Sequence, residues 1–240
     1  MKLVFLGTRG YISAQSRRHK RHSSLLVSYK RQRVMVDCGE DWTGHIASIH
    51  PDVIFITHAH PDHAGGMRDG TNCPVYATAS AWMVMDNYEI RDRGIVEIRN
   101  PIAVEDLVFE AFPVIHSLRA PAVGYRIGDG RVAIFYVPDV VDVEDRAQAL
   151  QGIRIFIGDG ASLTRPLVRR HGDKLFGHTT VRAQLGWCHE AGVKRAIFTH
   201  CGSQIVGHEQ DKLELKLRAM GREQNVGARF AHDRLEIVLR

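Results

Sequence analysis

The sequence predicts an α/β fold in which two mixed sheets pack face to face and carry helices on their outer sides. Apolar runs of strand length alternate with segments of helical periodicity along the 240 residues. Turn signals that favour hairpins dominate the first part of each half of the chain, which is typical of mixed sheets rather than purely parallel ones. No shift in composition marks a linker, so we expect a single domain over residues 1–240.

The strands are predicted from short apolar runs bounded by polar residues or glycine. In chain order they cover residues 3–6, 25–27, 34–36, 53–56, 74–76, 95–98, 103–112, 122–127, 131–137, 153–157, 196–198 and 235–239. Asp129 and Gly130 separate two of these runs, and Asp-Gly between apolar runs is a strong hairpin signal.

Helical spacing of apolar residues predicts five helices, at residues 42–49, 80–88, 143–150, 179–191 and 209–220. Pro51 ends the first and Gly192 ends the fourth, because proline cannot continue a helix and glycine favours its C-terminus. The basic, proline-containing stretch before residue 179 is expected to be a loop, and His171 and His208 are expected to be surface residues.

The chain is basic, with a formal net charge of +5, so a polyanion is a reasonable partner. Its first 36 residues contain nine Lys and Arg and no acidic residue. The four cysteines form no Cys-x-x-Cys pair, which predicts reduced thiols and a cytoplasmic protein. The apolar run at the N-terminus is too short for a signal peptide or a membrane span, so we expect no membrane partner.

The most informative motif is His58-Ala59-His60-Pro61-Asp62-His63, which follows a predicted strand. Further apolar runs lead into His116, Asp139, Asp159 and His200. Ligands at strand ends are common in α/β sheets, and neutral imidazole with carboxylate suits zinc, manganese or iron better than calcium. More ligands are available than one tetrahedral site needs, so we expect two divalent metals, zinc or manganese with iron left open.

This ligand pattern resembles the metallo-β-lactamase superfamily. The resemblance covers nearly the whole chain and implies a four-layer αβ/βα sandwich with two metals at one sheet edge. By that resemblance, the first metal is held by His58, His60 and His116, and the second by Asp62, His63 and His200. Asp139 is implied to bridge them.

Finer matches resemble ribonuclease Z. They are Phe5-Leu6-Gly7-Thr8, Ser23-Ser24-Leu25-Leu26, Asp37-Cys38-Gly39-Glu40 and Gly177-His178-Thr179-Thr180. The resemblance implies that His178 assists proton transfer with a partner acid, which maps to Asp159. The catalytic residues are then Asp62, Asp159 and His178. Metal-bridged hydroxide would be the nucleophile, and protonated His178 the general acid.

The chain departs from ribonuclease Z at two places. Asp159 stands where that family usually carries a glutamate, and no long insertion between Asp139 and His178 corresponds to its tRNA-gripping arm. Shorter relatives, the cyclic phosphodiesterases that act on phosphoribosyl compounds, share the metal ligands. They typically hold another zinc with cysteines in the loop after the first strand, where this chain has none.

Two basic stretches are candidate substrate contacts, because cations beside a two-metal centre would bind backbone phosphates. Their candidate residues are Arg17, Arg18, Lys20, Arg21, Arg169 and Arg170. We therefore predict a two-metal phosphodiester hydrolase, a nuclease for RNA or DNA, with a small cyclic phosphodiester as the second substrate class. A non-phosphate ester or lactam hydrolase and a non-enzymatic nucleic-acid-binding module are weaker alternatives, and a homodimer is left open.

Overall fold

Two mixed sheets packed face to face form the centre of the computed structural model, which describes residues 1–207 and 209–240. His208 therefore lies outside the described residues. The strands are β1 (Lys2–Gly7), β2 (Ser24–Tyr29), β3 (Gln32–Val36), β4 (Val53–Phe55), β5 (Val75–Ala77), β6 (Arg93–Ile95), β7 (Ile102–Val104), β8 (Leu107–Ile115), β9 (Ala122–Gly128), β10 (Ala133–Tyr136), β11 (Asp142–Val143), β12 (Ile155–Asp159), β13 (Leu167–His171), β14 (Lys174–His178), β15 (Arg195–Thr199), β16 (Gly227–Phe230) and β17 (Glu236–Val238). The α-helices are α1 (Pro61–Ala64), α2 (Ala79–Val84), α3 (Arg146–Leu150), α4 (Val181–Glu190), α5 (Ser203–Val206) and α6 (Gln210–Glu223), and short 3₁₀ helices cover Glu40–Trp42, Ile46–Ile49 and Gly65–Met67.

Each sheet has an antiparallel half and a parallel half. The first sheet has the order β17-β1-β2-β3-β4-β5-β6, antiparallel up to β3 and parallel from β3 to β6. The second has the order β11-β8-β9-β10-β12-β15-β16, antiparallel up to β10 and parallel beyond it, with β7 also paired to β8. The carboxyl ends of parallel strands meet at one edge of a sheet, so this topology brings several chain segments to a common edge.

Three hydrophobic clusters separate four layers. The central cluster lies between the sheets and includes Phe5, Val36 and Phe55 from the first and Phe109 and Tyr125 from the second. A second cluster packs the 3₁₀ helices, α1 and α2 on the outer face of the first sheet. The third packs α3, α4 and α6 on the outer face of the second sheet. The predicted sandwich of two mixed sheets with outer helices is therefore confirmed.

Most predicted elements are present, but four predictions of local structure are wrong. The strand expected over 103–112 is the hairpin β7–β8, because Glu105 adopts a left-handed φ of 51° and turns the chain. The loop expected before residue 179 is the hairpin β13–β14. Helical periodicity at 42–49 produces two 3₁₀ turns, and the helix expected over 143–150 begins only at Arg146, after β11.

Strand β16 was not predicted either, although it forms the parallel edge of the second sheet. The four cysteines are free thiols, in agreement with the absence of Cys-x-x-Cys pairs. Among the described residues, no helix combines the length and apolar character needed to cross a membrane.

Candidate metal centre and active site

Strand ends deliver the predicted metal ligands to one place. β4 leads into His58 and His60, and Pro61 then begins α1, whose first turn presents Asp62 and His63. The carboxyl ends of β8, β10 and β15 lead into the remaining three ligands, His116, Asp139 and His200. All seven candidates fall into two groups of four that share Asp139. Residues spread over more than 140 positions of sequence thus meet because the sheets align their strand ends.

The first group consists of His58, His60, His116 and Asp139. Nε2 of His58 lies 3.0 Å from Nδ1 of His60. Oδ2 of Asp139 lies 3.2 Å from Nε2 of His116 and 3.5 Å from Nε2 of His58. The ligand atoms of the group all lie within 4.8 Å of one another, a spacing that a single cation can span.

The second group consists of Asp62, His63, Asp139 and His200. Nε2 of His63 lies 3.3 Å from Oδ2 of Asp62 and 3.4 Å from Oδ2 of Asp139. Nδ1 of His200 lies 2.9 Å from Oδ1 of Asp139. Because the Asp139 carboxylate contacts imidazoles of both groups, it stands between the two candidate positions.

Three atoms of the second group test whether a metal fits. Oδ2 of Asp62, Nε2 of His63 and Oδ1 of Asp139 are buried, and their contacts within the group lack the geometry of a hydrogen bond, so none of the three atoms has a hydrogen-bond partner among the described residues. Buried polar atoms without partners are costly, and their convergence on one point is what a cation would resolve. Imidazole nitrogen and carboxylate oxygen suit zinc, manganese and iron. The clusters are therefore able to bind metal.

Asp37 orients the second group through its contact with the outer ring nitrogen of His63. Its Oδ2 lies 2.9 Å from Nδ1 of His63, and its Oδ1 accepts hydrogen bonds from the backbone N–H of Thr57 at 2.8 Å and from the hydroxyl of Thr57 at 2.9 Å. The side chain is completely buried. A carboxylate on the outer nitrogen of a ligating histidine fixes the tautomer and raises its basicity.

Other outer nitrogens of the ligand imidazoles also have partners. Nδ1 of His116 lies 3.0 Å from the carbonyl oxygen of Gly177. Nε2 of His60 lies 3.2 Å from the hydroxyl of Ser117. The hydroxyl of Ser23 lies 3.2 Å from Nδ1 of His200, the same nitrogen that faces Asp139. These contacts fix ring orientation.

The electrostatics of the cluster favour the ligand forms of some of its members. Burial lowers the pKa of His58 well below its ordinary value and lowers that of His116 to about 4, so both rings are neutral at physiological pH. Burial opposes ionisation of Asp139, but the imidazoles of His200 and His63 hold its pKa well below the usual range. Neutral imidazole and ionised carboxylate are the metal-binding states. Burial opposes protonation of His63, but the carboxylates of Asp62, Asp139 and Asp37 outweigh it and raise the pKa of His63 well above its ordinary value, so this ring has to lose a proton before it can bind a metal.

His178 and Asp159 form a separate pair at the same edge. They are the last residues of β14 and β12, and Nδ1 of His178 lies 2.7 Å from Oδ2 of Asp159. Asp159 also accepts backbone hydrogen bonds from Val140 at 3.0 Å and Ala161 at 2.7 Å. Burial works against protonation of His178, but the Asp159 charge and hydrogen bond outweigh it and raise the pKa of the ring to about 9.

Five of the seven candidate ligands and His178 line one cleft of about 500 Å³. Its lining residues are Gly10, Tyr11, Ile12, His60, Pro61, Asp62, His116, Asp139, Ala161, Leu167, His178, His200, Gly202, Ser203 and Gln204. Gly10 is required there, because a Cβ at this position would lie only 2.9 Å from Nε2 of His200. Five of the predicted metal ligands and His178 thus face a common space, while His58 and His63 lie beneath its surface and Asp159 contacts His178 from behind.

The six predicted basic residues are not among those that line this cleft. Their positions divide into two places, with Arg17, Arg18, Lys20 and Arg21 in the loop between β1 and β2, and Arg169 and Arg170 exposed on β13. Arg21 stacks on the Trp42 ring at 4.0 Å, and Asp233 accepts hydrogen bonds from the backbone N–H groups of Lys20 and Arg21. A role for these residues therefore requires a substrate that extends beyond the cleft.

Sequence reasoning missed the residues that orient the ligands. Asp37 was visible only as part of a family-like motif, and its contact with His63 spans 26 positions of sequence. Gln184 was also missed. Its amide accepts from the backbone N–H of Asp159 at 2.9 Å and donates to the Asp159 carbonyl at 2.8 Å. No local sequence pattern predicts such contacts, because they depend on how strands and helices that are distant in the sequence are placed against each other.

Comparison with known proteins identifies the family. A family model described as a β-lactamase superfamily domain matches residues 32–201. Among curated proteins, an octanoyltransferase from Porphyromonas gingivalis is 25% identical over 223 residues, covering 81% of this chain and 42% of its own length. A ribonuclease Z from Methanopyrus kandleri is 29% identical over 186 residues, covering 68% of this chain and 62% of its own length. The chain thus spans less than two thirds of the length of these curated relatives.

Solved structures agree on the fold. The metallo-β-lactamase fold protein YhfI from Bacillus subtilis has a TM-score of 0.74 at 16% identity, with 98% of both chains covered. A diphosphatase of the PhnP family has a TM-score of 0.70 at 22% identity, covering 98% of this chain and 96% of that one. Human tRNase Z, short form, has a TM-score of 0.65 at 18% identity over 100% of both chains.

The family match, the four-layer architecture and the clustered ligands lead to one conclusion, which also confirms the resemblance seen in the sequence. The chain belongs to the β-lactamase superfamily and has the metallo-β-lactamase fold.

Proposed function

We propose that this protein is a two-metal phosphodiester hydrolase that cleaves RNA or DNA, with His178 as the proton donor to the leaving group. The observation that carries the proposal is the His178–Asp159 pair, 2.7 Å apart, with His178 lining the same cleft as five of the seven metal-ligand candidates. Phosphodiester cleavage needs charge neutralisation and a protonated leaving oxygen, and the cleft offers groups for both.

In this proposal His58, His60 and His116 hold one metal, Asp62, His63 and His200 hold the other, and Asp139 contributes to both. The metals can be zinc or manganese, with iron as a further candidate, since all three accept these donors. When bound, they supply Lewis acidity that activates water and neutralises charge on the phosphoryl oxygens.

His178 supplies the proton. The Asp159 carboxylate keeps the ring protonated at neutral pH and occupies its Nδ1, which leaves Nε2 as the donor. A group protonated at pH 7 can transfer its proton to a departing alkoxide, and the Asp159 charge stabilises the imidazolium until that step. Amide and lactam hydrolysis also requires a proton on the leaving group, so the substrate panel and not this pair separates those reactions from phosphodiester cleavage.

A small phosphodiester is the second candidate substrate, and the cleft itself favours it. The cleft of about 500 Å³ is of the size of a small ligand site. The segment beside the cleft is the hairpin β13–β14. It is short, with five residues in each strand, so it adds little surface for a long substrate. The structural relative described as a diphosphatase of the PhnP family is consistent with such a substrate.

The experiment is a substrate panel with metal-loaded protein. We expect cleavage of labelled single-stranded RNA or DNA with zinc or manganese, and loss of cleavage in His63→Ala with reduced metal content by elemental analysis. Turnover of bis(p-nitrophenyl) phosphate without cleavage of any oligonucleotide would select the small substrate. Hydrolysis of carboxylic esters or lactams alone would refute the phosphodiester proposal.

Charge reversal on the hairpin separates a polymer from a small substrate. Arg169→Glu/Arg170→Glu should weaken oligonucleotide binding and reduce the slope of log Kobs against log salt by roughly 1.4, at about 0.7 for each single-strand phosphate that is no longer neutralised. Turnover of bis(p-nitrophenyl) phosphate should not change, because neither side chain lines the cleft. The same reversal at Arg17, Arg18, Lys20 and Arg21 tests the other basic segment.

The matched control is Lys194→Glu/Arg195→Glu. This adjacent, exposed pair lies at the amino end of β15, whereas His200 follows the carboxyl end of the same strand. It carries the same charge change away from the cleft. If both double variants lower the salt slope equally, Arg169 and Arg170 have no specific role.

A further inference from the structure

Tyr11 is an exposed aromatic side chain at the margin of the cleft. Its side chain is 64% exposed, although it lines the same cleft as His178 and the metal ligands. The residue also lines a neighbouring pocket. A large aromatic ring left in water beside a reactive centre offers a flat apolar surface that a ligand can cover.

The backbone around Tyr11 is held in place on both sides. The N–H of Gly10 donates to the carbonyl of Cys201 at 3.1 Å, which ties the loop to the segment that carries His200. The buried Arg9 guanidinium donates to the carbonyl of Ile12 and pairs with Asp41 at 2.6 Å. The ring therefore projects from an ordered segment, and binding of a ligand would not have to order the loop first.

A second exposed apolar side chain lines the cleft from another segment. Leu167 is 42% exposed and pairs with His178 across the hairpin β13–β14. The cleft thus has a charged interior, formed by imidazoles and carboxylates, and an apolar margin that includes Tyr11 and Leu167. A substrate that matches this division has an anionic group joined to a flat apolar group.

The pocket on the other side of Tyr11 is polar. Ser13, Gln15 and Glu40 line it, and all three are exposed. Hydroxyl, amide and carboxylate groups can hydrogen-bond the donors and acceptors on the edge of a base. A plain hydrocarbon ring would gain nothing from these groups, so their chemistry favours a heterocycle.

We propose that Tyr11 is the stacking platform for a nucleobase of the substrate, with Leu167 contributing to the apolar margin. The inference rests on the proposed function, because it assumes that the phosphodiester lies at the metal centre. Stacking of a base on an aromatic side chain contributes to affinity by roughly 5- to 150-fold. Tyr11 is then a specificity-determining residue that selects nucleotides over other phosphodiesters.

The kinetic test compares two esters with the same leaving group, thymidine 5′-(p-nitrophenyl phosphate) and methyl p-nitrophenyl phosphate. For the metal-loaded enzyme, Tyr11→Ala should raise KM for the thymidine ester by roughly 5- to 150-fold and leave kcat and the kinetics of the methyl ester unchanged. Tyr11→Phe should behave like the wild type, since it keeps the ring. Met83→Ala, which removes an 80% exposed apolar side chain from α2, is the control for loss of exposed surface.

The binding test does not depend on turnover. By calorimetry, the wild type should bind adenosine 5′-monophosphate more tightly than ribose 5-phosphate, and Tyr11→Ala should lose this preference. Equal affinity of the wild type for both ligands, or a preference that survives in Tyr11→Ala, would overturn the inference. If neither ester is turned over, the proposed function fails, and calorimetry still decides whether a base site exists.

Discussion

Replacing Asp159 with asparagine tests the proposed proton donor with little change in shape. The carboxylate of Asp159 contacts three donors, which are His178 Nδ1 and the backbone N–H groups of Val140 and Ala161. Asparagine keeps one acceptor oxygen and presents an NH₂ group in place of the other. One backbone N–H then loses its acceptor, which costs about 1–3 kcal/mol, so the variant should fold with reduced stability.

The effect on activity follows from the pKa of His178. Asp159 raises this pKa to about 9, and without the charge we expect it to fall to the ordinary value near 6.5. At pH 8 the protonated fraction would then drop from about 90% to about 3%, a loss of activity of roughly 30-fold. At pH 6 both forms are mostly protonated, so the loss should be less than about twofold.

The assay is the pH dependence of kcat for a dinucleoside phosphate, thymidylyl-(3′→5′)-thymidine, whose alkoxide leaving group needs a proton, with metal content measured on the same samples. The wild type should lose activity as the pH rises through about 9, because His178 would give up its proton, and Asp159→Asn should show this loss some 2.5 pH units lower. If Asp159→Asn loses activity at the same alkaline pH as the wild type, the role of His178 as proton donor is refuted. Loss of metal in Asp159→Asn would show instead that Asp159 acts by holding the backbone next to Asp139.

Three further predictions concern the metal centre. Asp37→Asn should weaken metal binding by about 10- to 100-fold, measured by competition with a chromogenic chelator, because His63 loses the carboxylate on its Nδ1; unchanged affinity would contradict this. Chelation should lower the melting temperature by about 5–10 °C relative to protein at a metal concentration 100-fold above Kd, in calorimetry or circular dichroism, and equal melting curves would argue against a metal. Gly10→Ala should displace the His200 ring and lower metal content, since the new Cβ would lie 2.9 Å from Nε2; full metal content with full activity would show that the loop yields instead.

The sequence was sufficient to select the candidate metal ligands that cluster in the structure, because that information is local. His58, His60, Asp62 and His63 lie within six residues, and every later ligand follows an apolar run that proved to be a strand. In a sheet with parallel neighbours, strand ends share an edge, so the order of runs and ligands was enough to bring the ligands together. The fold class followed from the same alternation of runs.

The hairpin β13–β14 could not be predicted from its pattern. Residues 167–171 are almost entirely exposed, so no buried face imposes an alternation of apolar and polar residues. Its pairing is fixed by the turn at Gly172, with φ of 57°, and by the hydrogen bond from the Gly177 N–H to the carbonyl of His116 at 2.7 Å. The same exposure explains why Arg169 and Arg170 could be recognised as basic but not placed relative to the cleft.

Two residues of the site adopt a backbone conformation that favours glycine. Asp37 and His200 follow β3 and β15 with left-handed φ values of 62° and 51°, and both are buried. Such a conformation costs about 1–2 kcal/mol for a residue with a Cβ, and glycine would avoid the cost. Glycine at either position would, however, remove the carboxylate that contacts His63 or the imidazole that contacts Asp139. At these two positions the contact that the side chain makes, rather than the backbone conformation, therefore explains the residue type.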